Sequence, residues 1–139
     1  MTLPITLTAA AAAALINIWL AIRVGGVRRK HGVSIGDAGN PAVTARMRAH
    51  ANFTEYTPFV LVLVAAIELA IGSPWWLWAA VAAYLVARVL HPFGMDGWQP
   101  GRGIGIIVTM LVLLGLALTA LAVPYFAPAT IQLHQVHAG

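Results

Sequence analysis

The distribution of charge along this chain is the feature that most limits what it can fold into. Residues 1–22 carry no charged side chain, and another uncharged run extends from Leu69 to Ala87. A helix needs roughly 20 apolar residues to cross the hydrocarbon core of a bilayer. Only 9% of the residues are charged, whereas about a quarter are charged in a soluble domain. So few charges cannot build a water-facing surface, and we therefore expect lipid to cover much of the protein.

Four apolar segments predict an all-α integral membrane protein, a bundle of four transmembrane helices. The 139 residues suffice for one domain, and we expect a single membrane domain over residues 1–139. Arg23 follows the first apolar run, where a secretory signal would have a small-residue cleavage site, so we expect this run to be retained as a helix. The predicted helices cover about residues 3–24, 41–71, 74–91 and 103–123.

The positions of lysine and arginine predict the orientation. With four spans, every basic residue falls on or near the side of the first and third connections, and none lies in the second connection or at the termini. Basic residues mark the cytoplasmic side, so both termini are expected on the opposite side. Three or five spans would divide the basic residues between the two sides. These residues are Arg23, Arg28, Arg29, Lys30, Arg46, Arg48, Arg88 and Arg102.

Composition also excludes several classes of function. The chain has no cysteine, which rules out disulfides, thiolate nucleophiles of its own and cysteine-based metal sites. Its net charge of +4 does not indicate a nucleic-acid partner, because the basic residues flank apolar spans and do not share a soluble face. We expect no metal and no nucleic acid.

The second predicted helix carries a polar stripe. At about 100° per residue, Arg48, Asn52 and Glu55 share one face, whereas Arg46 and His50 point to nearly the opposite face. A carboxylate within an apolar span is costly unless it faces a partner or a wet cavity. One interpretation is structural, with the charges neutralised inside the bundle and the asparagine joining helices. The other is a binding site.

Further polar residues occur at a similar depth on the third and fourth helices, namely Arg88, His91 and Arg102. Each also has a plain structural interpretation as a helix-end residue, a snorkelling side chain or a flanking anchor. Arg46 and Lys30 are expected to contact lipid headgroups. Because arginine forks bind carboxylates and a carboxylate suits an ammonium group, the set predicts a pocket for a small, partly zwitterionic anion. Glutathione has this character.

The second predicted helix contains the motif Arg48-Ala49-His50-x-Asn52-x-x-Glu55-Tyr56-x-Pro58. This motif resembles the signature of the membrane-associated proteins in eicosanoid and glutathione metabolism, the MAPEG family, and most resembles its short bacterial, microsomal glutathione transferase-like type. The resemblance extends over nearly the whole chain. It implies a homotrimer in a bacterial inner membrane, with glutathione as co-substrate bound between subunits near the cytoplasmic side.

The resemblance also implies roles for individual residues. Arg102 would stabilise the glutathione thiolate as the catalytic residue. Arg28 would reach the site from a neighbouring subunit, although the alignment there is loose and Arg23 or Arg29 could substitute. The remaining glutathione-binding residues would be Arg48, Asn52, Glu55, Tyr56, Arg88 and His91.

Three functions follow from these patterns. The first is a glutathione transferase, or a glutathione peroxidase, that acts on lipophilic electrophiles entering from the membrane lipid. The second is a non-catalytic scaffold for lipids or ligands, because Met95, Gly103 and Ile106 stand where several family members have polar residues. The third, a transporter or channel subunit, is the weakest, since the sequence shows no inverted repeat and no helix broken at mid-membrane.

Overall fold

The fold is an antiparallel bundle of helices, seen in a computed structural model that describes residues 2–126. This part of the chain contains no strand, and all of its helices are long and apolar enough to cross a membrane. The expected all-α integral membrane fold is therefore confirmed. Residues 127–139, which the predicted domain includes, lie outside the described residues. The helices are α1 (Pro4–His31), α2 (Pro41–Ile71), α3 (Trp75–Met95) and α4 (Gln99–Phe126).

The helices extend further than hydropathy predicts. Helix α1 continues to His31 instead of ending near Val24, and α4 begins at Gln99 instead of residue 103. Hydropathy detects only the part of a helix that lies in lipid, whereas these ends carry charged or polar residues. The last turn of α1 is basic, which suits the negative end of the helix dipole. Gly32 ends the helix in a left-handed conformation, with φ of 67°.

The apolar core lies toward the end of the bundle that contains the N-terminus of α1. Lipid tails are as apolar as leucine, so this core is held by close packing and not by removal from water. All four helices contribute to it. Its buried members are Ile5, Ala9, Val60, Val64, Ile67, Leu77, Val81, Tyr84 and Leu116.

Helices α3 and α4 approach each other closely because glycines occupy their contact. A Cβ added at Gly94 would lie 1.9 Å from the backbone nitrogen of Arg102, and one added at Gly105 would lie 2.6 Å from the Cβ of His91. Small residues of this kind let transmembrane helices pack backbone to backbone. The packing fixes the backbone of Arg102 against the end of α3.

Glu68 ties the N-terminus of α1 to the α2–α3 connection. Its carboxylate is 1% exposed and accepts hydrogen bonds from the backbone nitrogens of Ile5 (2.9 Å) and Thr6 (2.8 Å). It also accepts from the hydroxyls of Thr6 (2.7 Å) and Ser73 (2.6 Å). The free N–H groups of a helix start are natural partners for a carboxylate. No sequence pattern predicts this contact, which fully satisfies a buried charge.

The α1–α2 connection is held by local caps. The side chain of Asn40 accepts from the backbone nitrogens of Ala42 (3.0 Å) and Val43 (3.3 Å), and so caps α2. Asp37 accepts from the Gly39 nitrogen and the Thr44 hydroxyl, and these hydrogen bonds hold the pKa of its carboxyl below the usual value. The connection is therefore an ordered element at the basic end of the bundle.

Candidate functional site

Arg88 lies at the point where α2, α3 and α4 meet. Its side chain is 1% exposed. One terminal nitrogen donates to Asn52 Oδ1 at 2.8 Å, and the other donates to Thr109 Oγ1 at 3.2 Å. The guanidinium also lies 5.8 Å from the centre of the Phe53 ring. The arginine thereby links polar groups on three helices.

The partners of Arg88 are electrically neutral. Within residues 2–126 no carboxylate lies at salt-bridge distance from its guanidinium, and its Nε has no hydrogen-bond partner. A cation inside a membrane-spanning bundle is costly unless an anion or a wet cavity accompanies it. The arrangement therefore favours an anionic ligand at this position.

A small cavity with both polar and apolar groups in its wall opens beside Arg88. It measures about 120 Å³, whereas ligand pockets are usually about 300 Å³ or more. A single chain can thus enclose only part of a tripeptide-sized ligand. The cavity is lined by Asn52, Tyr56, Arg88, Ile106, Thr109 and Met110.

An apolar groove of about 600 Å³ runs between α2 and α4 next to this cavity. Tyr56 lines both spaces, and Glu55 stands at the edge of the groove. The side-by-side arrangement offers a polar subsite and an apolar subsite within reach of each other. The other residues of the groove are Pro58, Phe59, Val62, Leu63, Leu113 and Ala117.

The polar stripe of α2 is present and faces away from α1. On the α1 side, His50 Nε2 lies 2.8 Å from Asn17 Oδ1, in agreement with the predicted opposite face. Arg48 and Glu55 are exposed, and within residues 2–126 neither forms a side-chain hydrogen bond or salt bridge. Arg102, in the first turn of α4, is exposed in the same way. Of the stripe, only Asn52 contacts Arg88.

His91 and Arg28 lie in different surroundings from Arg88 and its hydrogen-bond partners. His91 follows Arg88 by one turn, is buried against Gly105, and has a ring Nδ1 without a hydrogen-bond partner in the described chain. Arg28 donates to the sulfur of Met47 at 3.4 Å, so its side chain lies against its own subunit. Arg29, one of the two arginines that could take the place of Arg28 in contacting a neighbouring subunit, is exposed.

The sequence was also compared with models of known protein families. The sequence model of the MAPEG family matches residues 6–122, a range that includes parts of all four helices. The chain belongs to the MAPEG family. Membership makes it a membrane protein of the family concerned with glutathione and eicosanoid metabolism. A comparison with curated proteins finds no match.

Two residues of this MAPEG protein take roles that its sequence did not suggest. Thr109 contacts Arg88, and its position two helical turns after Arg102 is the pattern that could have indicated it. Asp96 lies between Arg23 and Arg46 and forms salt bridges with both. Arg46 thus has an interhelical carboxylate as a partner, and its expected contact with lipid headgroups stays a prediction.

Of the three residues expected to stand where several family members are polar, one lines the cavity beside Arg88. Ile106 lines the cavity beside Arg88, Met95 is half-buried at the end of α3, and Gly103 is exposed next to Arg102. An apolar side chain at residue 106 removes a possible hydrogen-bond donor from the cavity wall.

Proposed function

We propose that this MAPEG protein is a membrane-bound glutathione transferase that activates the glutathione thiolate for attack on lipophilic electrophiles. The observation that carries the proposal is the buried Arg88, whose partners Asn52 and Thr109 are both neutral. A guanidinium in this setting gains most from a ligand carboxylate, which can accept two parallel hydrogen bonds from the planar fork. Glutathione supplies two carboxylates, one amine and a thiol.

The exposed charges of α2 complete the recognition of such a ligand. Arg48 would bind the second carboxylate, and Glu55 would bind the ammonium group. Tyr56 would close the side of the cavity that faces the apolar groove. This division accounts for opposite charges on one helix face that have no partner within residues 2–126.

The same exposed charges support a homotrimer. Counting roughly 20 residues back from the far end of α2 places Glu55 inside the apolar span, where lipid is a poor neighbour for a carboxylate. A second subunit packed over this face would shield Glu55 and Arg102. It would also enlarge a cavity of about 120 Å³ to the size that a tripeptide requires.

Arg102 is the candidate catalytic residue. A free thiol has a pKa of about 8.5, and an adjacent guanidinium lowers that pKa by favouring the thiolate. The thiolate sulfur would form a bond to the electrophilic carbon and displace the leaving group, and the thiol proton would pass to solvent. The electrophile would approach through the apolar groove beside Tyr56. The same thiolate could instead attack the outer oxygen of a lipophilic hydroperoxide, which breaks the O–O bond and releases the alcohol. A second glutathione would then reduce the resulting sulfenic acid to the disulfide and water.

The test is a glutathione titration of the detergent-solubilised protein, with the thiolate followed by its ultraviolet absorbance and turnover measured with a halo-dinitrobenzene. We expect a saturable thiolate signal and conjugation. Arg102→Leu should remove turnover more than binding, whereas the matched control Lys30→Leu, which removes one exposed charge at the same end, should resemble the parent. Saturating glutathione with neither thiolate nor product would exclude the proposal.

A non-catalytic scaffold is the second candidate, favoured by Ile106 in the wall of the cavity. It predicts that glutathione or lipid binds without a thiolate signal. Turnover that depends on Arg102 would reject it.

We further propose that the basic end faces the cytoplasm of a bacterial inner membrane. The α1–α2 and α3–α4 connections lie together at this end, joined by the contacts of Arg46 and Asp96, and the basic residues cluster there. This distribution is what the positive-inside rule associates with the cytoplasmic side.

A further inference from the structure

A carboxylate at the basic end joins three parts of the bundle. Asp96, at the end of α3, forms a salt bridge with Arg23 of α1. Its other oxygen accepts from Arg46 Nε of α2 at 3.3 Å. Arg46 also donates to the backbone oxygen of Arg23 at 3.5 Å. The Arg23 side chain is 13% exposed, whereas those of Asp96 and Arg46 are 30% and 34% exposed, so only the Arg23 arm of the network is shielded from solvent.

Two aromatic rings pack against Arg23 and restrict its side chain. The guanidinium of Arg23 lies 4.8 Å from the centre of the Trp19 ring and 5.4 Å from that of Phe93. The two rings lie 5.7 Å apart. A cation packed on aromatic faces loses freedom of movement and gains electrostatic attraction. Arg23 therefore contacts the end of α3 twice, through Phe93 and through Asp96.

The segment that carries Asp96 also carries Arg102. Only Asp96, Gly97 and Trp98 separate α3 from α4. The backbone nitrogens of Asp96 and Trp98 donate to Pro92 and Phe93 oxygens at 3.1 Å and 3.2 Å. Gly94 allows the backbone of Arg102 to lie directly against α3. The α3–α4 hairpin is therefore one rigid unit at this end, and a shift of Asp96 relative to α1 and α2 would carry Arg102 with it.

We propose that Asp96 is a positioning residue for Arg102. Its two salt bridges fix the tip of the α3–α4 hairpin against α1 and α2, and so set the place of the Arg102 guanidinium relative to the ligand-binding stripe of α2. The inference rests on the proposed transferase function. Deeper in the bundle, the hydrogen bond between Arg88 and Asn52 keeps α2 and α3 in register without Asp96. Loss of the Asp96 charge should thus disturb thiolate activation more than glutathione binding.

The test uses Asp96→Asn, which preserves shape and removes the charge. We expect the pKa of the bound glutathione thiol to rise by about one unit, a tenfold loss of thiolate near neutral pH. Turnover should fall by about ten- to a hundredfold, as for a small misplacement of a catalytic group. The affinity for glutathione should change by less than about twofold, since it depends on groups retained in the variant. Asp96→Glu, which keeps the charge, should recover part of the activity.

Asp37→Asn is the matched control, because it removes a carboxylate at the same end that contacts only Gly39 and Thr44 among the described residues. It should keep the parent's thiol pKa. If Asp96→Asn does not fold, Arg46→Gln removes one salt bridge only and should shift the thiol pKa in the same direction by less. A parent protein without any thiolate signal would reject the transferase function itself. An active parent whose Asp96→Asn variant has the same thiol pKa and turnover would reject the positioning role.

Hydrogen exchange supplies a readout that does not require glutathione. In Asp96→Asn the backbone amides of residues 96–99, 101 and 102 should exchange faster, while those around Val81 in the core should not change. Unchanged exchange at residues 96–102 would also contradict the proposal.

Discussion

The guanidinium of Arg88 donates to the side-chain oxygen of Asn52 at 2.8 Å, deep between α3 and α2. This contact joins two residues that are 36 positions apart in sequence and gives a buried cation a neutral partner. Its consequence is an unneutralised positive charge in a membrane-spanning bundle, directly beside a cavity.

Asn52→Asp should place a carboxylate against Arg88 without a change of shape. The new ion pair would neutralise the guanidinium, so we expect the free energy of unfolding to rise by about 1–3 kcal/mol. The same pair would compete with a ligand carboxylate, and we expect glutathione affinity to fall by more than about tenfold. Asn17→Asp, next to His50 on α1, adds an equal charge away from Arg88 and should leave affinity unchanged. Equal affinities for parent and Asn52→Asp would show that Arg88 does not bind the ligand.

Thr109→Val should destabilise the protein through Arg88. The substitution removes the acceptor of one guanidinium N–H and leaves it unpaired in the bundle, at a cost of about 1–3 kcal/mol. Thermal unfolding in detergent measures the effect, and Thr109→Ser should restore stability. Thr119→Val is the control, because the only partner of the Thr119 hydroxyl among residues 2–126 is the Gly115 oxygen of its own helix. If both valine variants lose the same stability, the contact with Arg88 contributes nothing specific.

Gly94→Ala should separate α3 from α4. The added Cβ would lie 1.9 Å from the Arg102 nitrogen, and relief of that clash requires a backbone shift. Overpacking of this kind costs about 1–3 kcal/mol, sometimes more, and the displaced Arg102 should reduce turnover as well. Gly115→Ala meets no atom within 4 Å and should stabilise α4 by up to about 1 kcal/mol. A Gly94→Ala protein with the parent's stability would contradict the close packing of the two helices.

Single cysteines can establish the orientation, because the chain has none of its own. Ser34→Cys lies in the α1–α2 connection and Thr2→Cys precedes α1, and both positions are exposed. In intact bacterial cells that express each variant in the inner membrane, a membrane-impermeant maleimide that reaches the periplasm should label residue 2. It should label residue 34 only after the inner membrane is opened. The reverse result would invert the proposed orientation, and labelling of both from one side would contradict a membrane-spanning α1 between the two positions.

A large part of the fold can be predicted from the local sequence. Long uncharged runs interrupted by Gly72-Ser73-Pro74 and by the Gly-rich segment near residue 97 determine the number of spans, and α2 begins and ends where they predict. The polar stripe of Arg48, Asn52 and Glu55 was also evident, because three residues spaced by four and three must share a helix face. These properties depend only on the helical repeat and on hydropathy.

Tertiary structure decided which of these polar residues act together. Helical periodicity gives the direction of a side chain around its own helix, but it does not give the rotation and depth of a neighbouring helix. For that reason the pairing of Arg88 with Asn52 and Thr109, the capture of Arg46 by Asp96 and the cap that Glu68 provides for α1 appear only in the packed bundle. Close packing at Gly94 and Gly105 brings α3 and α4 together, and so places Thr109 within reach of Arg88, because small residues remove the steric limit on the approach of two backbones.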